Sequence, residues 1–313
     1  MILTNSAPYP TKICVCIFAF LTGFFYFFSK DHSLRYSIRK GTDVWVAYLI
    51  TFFVLLIPAI SLGVYHFHAE SFILELFALK RHVMTFCWYV IFYMTVMLIL
   101  PLYARLSERS SALCFCLSLI APFFLMYLGN KCVVYLPQKL RVLNQVMEYT
   151  QWIPCVTSGY LFAKHDLFSR FADLLQTKYK AANILISLAM MYIAMRTRFF
   201  TTSYDFVCAP MFIYGVVGIW RSIPWKKVFV PLEIVGRYSL LIWFVHCIFF
   251  NVCDKYTQPV LFFTQNPVLV VLWGLLMCLL AAVILQFPVD WINKGKNRLF
   301  HLYSKPAKYA KGE

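Results

Sequence analysis

Apolar residues recur in nine runs: Ile13–Phe28, Val44–Tyr65, Val83–Ala104, Ala112–Asn130, Trp152–Ala163, Ala182–Met195, Thr202–Trp220, Val228–Cys253 and Pro267–Val289. A helix that crosses the hydrocarbon core of a bilayer needs about 20 apolar residues at 1.5 Å per residue. Most of the runs approach that length. Trp152–Ala163 and Ala182–Met195 are shorter, as packed or kinked spans can be. The pattern predicts an all-α fold, a polytopic transmembrane helical bundle of about nine membrane segments. Tight breaks are few, so one membrane domain over residues 1–293 is expected, followed by a basic tail over 294–313.

Composition supports the membrane reading. Hydrophobic residues make up 61 % of the chain and charged ones 13 %, against about a quarter charged in soluble domains. The net charge of +16 falls in short clusters between apolar runs, which suits loops beside anionic headgroups. A continuous basic face is lacking, which argues against nucleic acid as a partner. Summed over alternate loops, Lys and Arg favour one side roughly two to one, which places the basic tail in the cytoplasm. An integral protein of the plasma (inner) membrane is expected. An odd number of spans then places Met1 outside, or implies that a preceding helix is absent.

Most of the 11 Cys lie within apolar runs, where the thiol acts as a small hydrophobe, and no disulfide framework is implied. His66 and His68, with Glu70 and Glu75 nearby, invite a metal reading. Residues two apart do not share a helical face, so no metal site is expected.

Ionisable groups deep in a span are costly and usually functional. The eighth run carries three: Glu233, Arg237 and His246. Glu233 and Arg237 are four apart, the spacing of an intrahelical ion pair. Ser239, Trp243 and His246 share one helical stripe, with Phe250 continuing it. A neutral imidazole there can accept a proton from a hydroxyl, or it can hold helices together by hydrogen bonding. Between the first two runs, Arg35 and Arg39 also lie four apart, with Lys40 beside them. Such a cluster can hold phosphates or face lipid headgroups.

Four stretches carry a resemblance to a known family. They are CIFAFLTGFFYFF (Cys16 to Phe28), FCWYVIFYMTVMLILPLY (Phe86 to Tyr103), WIPCVTSGYLFAKHDLF (Trp152 to Phe168) and VGRYSLLIWFVHCIFF (Val235 to Phe250). In this order they are similar to motifs of the acyltransferase-3 family of membrane O-acyltransferases, which includes O-acetyltransferases of cell-surface sugars. The family usually opens with a helix bearing an Arg and a His, so the chain resembles a member that lacks its first helix. The resemblance implies acetyl-CoA as acyl donor and a hydroxyl of a cell-surface or lipid-linked glycan as acceptor. It points to His246 and Ser239 for catalysis. For the acyl-CoA and substrate it points to Arg35, Arg39, Lys40, Thr22, Gly23 and Trp243. A glycan or lipid transporter or flippase, or an inactive truncated family member, are the alternatives.

Overall fold

The computed structural model describes residues 13–80, 84, 88–135, 150–175, 178–200, 204–247, 249 and 254–302. Among these the chain is all helical. Thirteen α-helices follow in order: α1 (Ile13–Phe27), α2 (Leu34–Ser61), α3 (Ala69–Leu76), α4 (Trp88–Arg109), α5 (Ser111–Tyr135), α6 (Ile153–Lys164), α7 (Leu167–Leu175), α8 (Lys180–Phe200), α9 (Asp205–Ser222), α10 (Val230–Arg237), α11 (Ser239–Cys247), α12 (Asp254–Leu261) and α13 (Pro267–Leu302).

Each of the nine apolar runs carries a helix. By length and apolar character four of them suffice to cross a membrane: Leu34–Ser61, Trp88–Arg109, Ser111–Gly129 and Pro267–Arg298. The eighth run is not one straight span. It breaks between Arg237 and Ser239 with a 60° bend, and counting the bent pair as one span gives five candidate crossings among the described residues. Tyr238 forms the break, its amide bonded back to Ile234 O and Gly236 O as the cap of α10. The helix expected to stop near Val289 continues as α13 to Leu302 and so includes the start of the basic tail. Prolines sit inside α2, α4, α5, α9 and α13, as membrane helices tolerate when neighbours re-satisfy the freed backbone groups. Large apolar side chains such as Phe123, Ile284 and Phe287 remain exposed, as a lipid-facing surface requires.

The chain divides into two compact units, residues 1–37 with 95–228, and residues 38–94 with 229–313. In the first, α1 packs along α6, α9 packs on α1 and α8, and α5 packs on α6. The α1–α6 crossing is set by two glycines. A Cβ on Gly23 would fall on the Val156 carbonyl, and one on Gly159 on the Phe20 carbonyl. Each glycine thus sits over the carbonyl three residues before the other, letting the backbones approach as small residues do in membrane helix pairs. Around the crossing, the rings of Phe20, Phe162 and Phe168 meet edge-on or tilted at centroid distances of 5.2–5.9 Å. The α8–α9 hairpin repeats the device, with Gly215 and Gly218 placed against Ser187.

In the second unit, Tyr48, Phe52 and Leu55 of α2 pack with Val90 of α4, Leu241, Phe244 and Val245 of α11, and Ala282 and Leu285 of α13. The Tyr48 hydroxyl donates to the Glu75 carbonyl, and Trp45 Nε1 donates to the Leu76 carbonyl at 3.0 Å, which docks α3. Lys296 of α13 reaches Asp43 of α2 at 2.5 Å and Thr42 Oγ1 at 3.1 Å.

Replacing Gly159 by Val should cost at least about 1–3 kcal/mol, because the added atoms meet backbone rather than a movable side chain. The measurement is thermal unfolding in detergent. Gly295→Ala, inside α13 where nothing lies within 4 Å of the added carbon, should hold the midpoint or raise it slightly, because Ala favours a helix over Gly by about 1 kcal/mol.

Candidate functional site

The turn from α6 to α7 builds the chemistry of the first unit. His165 caps α6, and Asp166 adopts φ +49°, a left-handed conformation that Asp tolerates better than most residues. Asp166 Oδ1 accepts from Ser169 Oγ at 2.8 Å, which fixes the start of α7. The chain therefore turns into α7 immediately after Lys164 and His165, and the packing of α6 on α5 brings both to the start of α5. His165 Nε2 and Ser111 Oγ are 2.9 Å apart. Lys164 Nζ donates to Ser111 Oγ at 3.3 Å and to the Ser107 carbonyl. One hydroxyl is thus held between an ammonium and an imidazole.

This cluster borders an apolar cavity of about 620 Å³. Its walls include Phe115 of α5, Leu161 and Phe162 of α6, Phe168 and Phe171 of α7, and Met211 and Tyr214 of α9, with Ser111 and His165 among its lining. Ser158 is also in the wall, but its hydroxyl donates to the Phe206 carbonyl at 3.1 Å. A second cavity of about 400 Å³ shares Phe168, Leu175 and Tyr214 with the first and is more polar, with Asp166, Ser169, Asn183 and Arg221 in its lining.

Few of the residues marked by the sequence reach these cavities. Thr22 Oγ1 donates to the Phe18 carbonyl of its own helix at 2.8 Å. Gly23 admits the backbone of α6 rather than a ligand. Arg35, Arg39 and Lys40 stand on one stretch of α2, and neither cavity includes them. Arg35 is exposed, and Lys40 lies 3.8 Å from Asp43. Ser239 opens α11 at the break, so Ser239, Trp243 and His246 do share one helix, while Phe250 lies outside the described residues. His246 is half-buried, its ring 5.6 Å from that of Trp243. His246 Nδ1 lies 2.5 Å from the Trp243 carbonyl. A carbonyl only accepts, so Nδ1 carries the proton and Nε2 of the neutral ring is the basic nitrogen. Glu233 and Arg237 are both exposed and form no ion pair with each other. His66, His68 and Glu70 are exposed while Glu75 is buried, so the four do not converge.

The ion pair that does form within the first unit was not legible. Arg198, counted with the loops, is 2 % exposed and lies 3.2 Å from Asp205, itself 3 % exposed. The two residues face each other from the facing ends of α8 and α9, within electrostatic reach of Cys16, Cys155 and Cys208. The spacing of seven across the hairpin is the only signal that could have suggested it. Ser111 and His165 were also missed, although His165 stands inside the quoted segment WIPCVTSGYLFAKHDLF.

The sequence matches the profile of the acyltransferase domain over residues 2–287. The chain belongs to the acyltransferase-3 family. No individual curated protein and no solved structure matches it. Every acyltransferase-3 motif identified in the sequence falls within the matched span, as do Ser111, His165 and the Arg198–Asp205 pair. Membership implies an acyl donor and an acceptor.

Breaking one half of the buried pair, by Asp205→Ala, should destabilise the protein by about 3–5 kcal/mol because Arg198 is left uncompensated. The double change Arg198→Met with Asp205→Leu should recover most of that loss. Thermal unfolding of the three proteins in detergent decides it.

Proposed function

We propose that the chain is a membrane O-acyltransferase that moves an acyl group from a CoA thioester to a hydroxyl of a cell-surface or lipid-linked glycan. The observation that carries this reading is the family match over residues 2–287, combined with several helices able to cross a membrane. Acetyl is the acyl group that the motif resemblance favours. The protein sits in the plasma (inner) membrane with its tail cytoplasmic, a topology supported by the distribution of Lys and Arg among the loops. The runs on α1, α6, α8 and α9 then cross or enter the bilayer as short, packed segments, bringing the total to nine.

In this reading His246 is the general base. With its Nδ1 donating to the Trp243 carbonyl, Nε2 takes the proton of the acceptor hydroxyl as oxygen attacks the thioester carbonyl. CoA leaves as the thiol when the tetrahedral intermediate collapses. Ser239 and Trp243 lie on the same stripe and orient the acceptor. Arg35, Arg39 and Lys40 provide the positive charge for the CoA phosphates. Thr22 and Gly23 contribute through the α1–α6 packing rather than by touching substrate.

The test is CoA release by the purified protein in lipid nanodiscs, with acetyl-CoA and a glycan acceptor. Acceptor-dependent release is expected. His246→Ala should reduce kcat by about a hundred- to ten-thousand-fold, while Arg39→Ala should chiefly raise KM for the donor. Acceptor movement across a sealed vesicle with no CoA release would establish a transporter instead. Cysteine labelling that finds residues of the tail outside the cell would overturn the topology.

A further inference from the structure

The apolar cavity of the first unit has no task in a reaction that moves only a two-carbon group. Its volume of about 620 Å³ falls in the range of roughly 300–1,000 Å³ typical of sites that enclose a whole organic ligand. We propose that it holds the hydrocarbon chain of a lipid-linked acceptor, with sugar hydroxyls of its head other than the one acylated lying against Ser111 and His165. This deepens the acyltransferase reading by naming the acceptor class, and rests on that reading for the word acceptor.

Three features of the structure lead there. First, the long walls are apolar: Phe115, Leu161, Phe162, Met211 and Val207 offer a chain no polar partner. Second, one wall is α7, a short amphipathic helix. It turns Leu167, Phe168 and Leu175 to the cavity while Ser169, Arg170 and Asp173 are exposed. That division suits a helix lying at the headgroup level, so a chain entering beside it keeps its polar end near the interface. Third, Ser111 and His165 place a hydroxyl and an imidazole 2.9 Å apart at the cavity, whereas the Ser158 and Tyr214 hydroxyls in its lining donate to backbone carbonyls. The first two can donate to and accept from sugar hydroxyls.

A CoA donor fits this end poorly. Its phosphates require cations, and no Lys or Arg lines the cavity. The adjacent Lys164 is directed at Ser107 O and Ser111 Oγ. The chain in the cavity therefore belongs to the acceptor.

The experiment measures direct binding to the full chain in nanodiscs, with no turnover required. One arm uses alkyl glucosides of increasing chain length and the other uses acyl-CoAs of increasing chain length. Alkyl glucoside affinity should rise about three- to fourfold per added methylene, then level off when the cavity is full. Met211→Trp should bring the plateau to shorter chains and Met211→Ala should move it to longer ones. The second variant keeps the test decisive if the first does not fold. His165→Ala should weaken all lengths by a similar factor, roughly two- to tenfold, without changing the slope. Affinity that ignores glucoside chain length, or that depends on chain length only in the acyl-CoA arm, overturns the proposal. A plateau unmoved by either Met211 variant does so too. If chain-length dependence holds but no CoA is ever released, the cavity assignment stands and the acyltransferase reading falls.

Discussion

Two backbones in contact organise the first unit. Where α1 crosses α6, Gly23 and Gly159 leave no side chain between the helices, and each faces a carbonyl of the other. Without a hydrophobic driving force between helices in lipid, close van der Waals contact of this kind is a principal source of association. The crossing also fixes what surrounds it. Phe20 on α1 meets Phe162 on α6, and both meet Phe168 on α7, so the short interfacial helix is held by rings that the glycines bring together. Phe162 and Phe168 are in turn walls of the apolar cavity. The cavity is therefore a by-product of how closely two helices approach.

The two ionic arrangements show how far sequence spacing reaches. Glu233 and Arg237 have ideal helical spacing, yet α10 exposes both and they remain apart. Arg198 and Asp205 have no helical relation, being separated by the end of one helix and the start of the next, yet they are buried against each other. Intrahelical periodicity says which residues share a face. It does not say which face is turned inward, and in a membrane protein that choice rests on neighbouring helices. Removing either one would leave the other charge buried without its counter-ion, which costs more than burying the two together.

The helical, membrane-embedded class was legible because apolar run length is a strong signal, and the family was legible in four ordered motifs. The bend at Tyr238 was not, since the sequence through Arg237 and Ser239 stays apolar on both sides. Small residues admit a ligand or a second helix equally well, and at Gly23 it is the backbone of α6 that arrives. Ser111 and His165 are far apart in sequence and meet because α6, which His165 caps, packs on α5. His246 was legible as a member of the Ser239–Trp243 stripe, whereas the bond from its ring to a carbonyl of its own helix was not.

The division into two units also has a temporal side. Both are discontinuous, but they close at different points along the chain: the first is complete at residue 228, while the second needs residues 229–313. Domains tend to form as units while the chain is being made, at roughly 5–20 residues per second. Tyr48, Phe52 and Leu55 are synthesised early, yet their partners on α11 and α13 emerge only at the end. For roughly 10–45 s at that rate the apolar face of α2 is in the membrane without them, an interval in which an insertion chaperone or surrounding lipid must stand in for that part of the core.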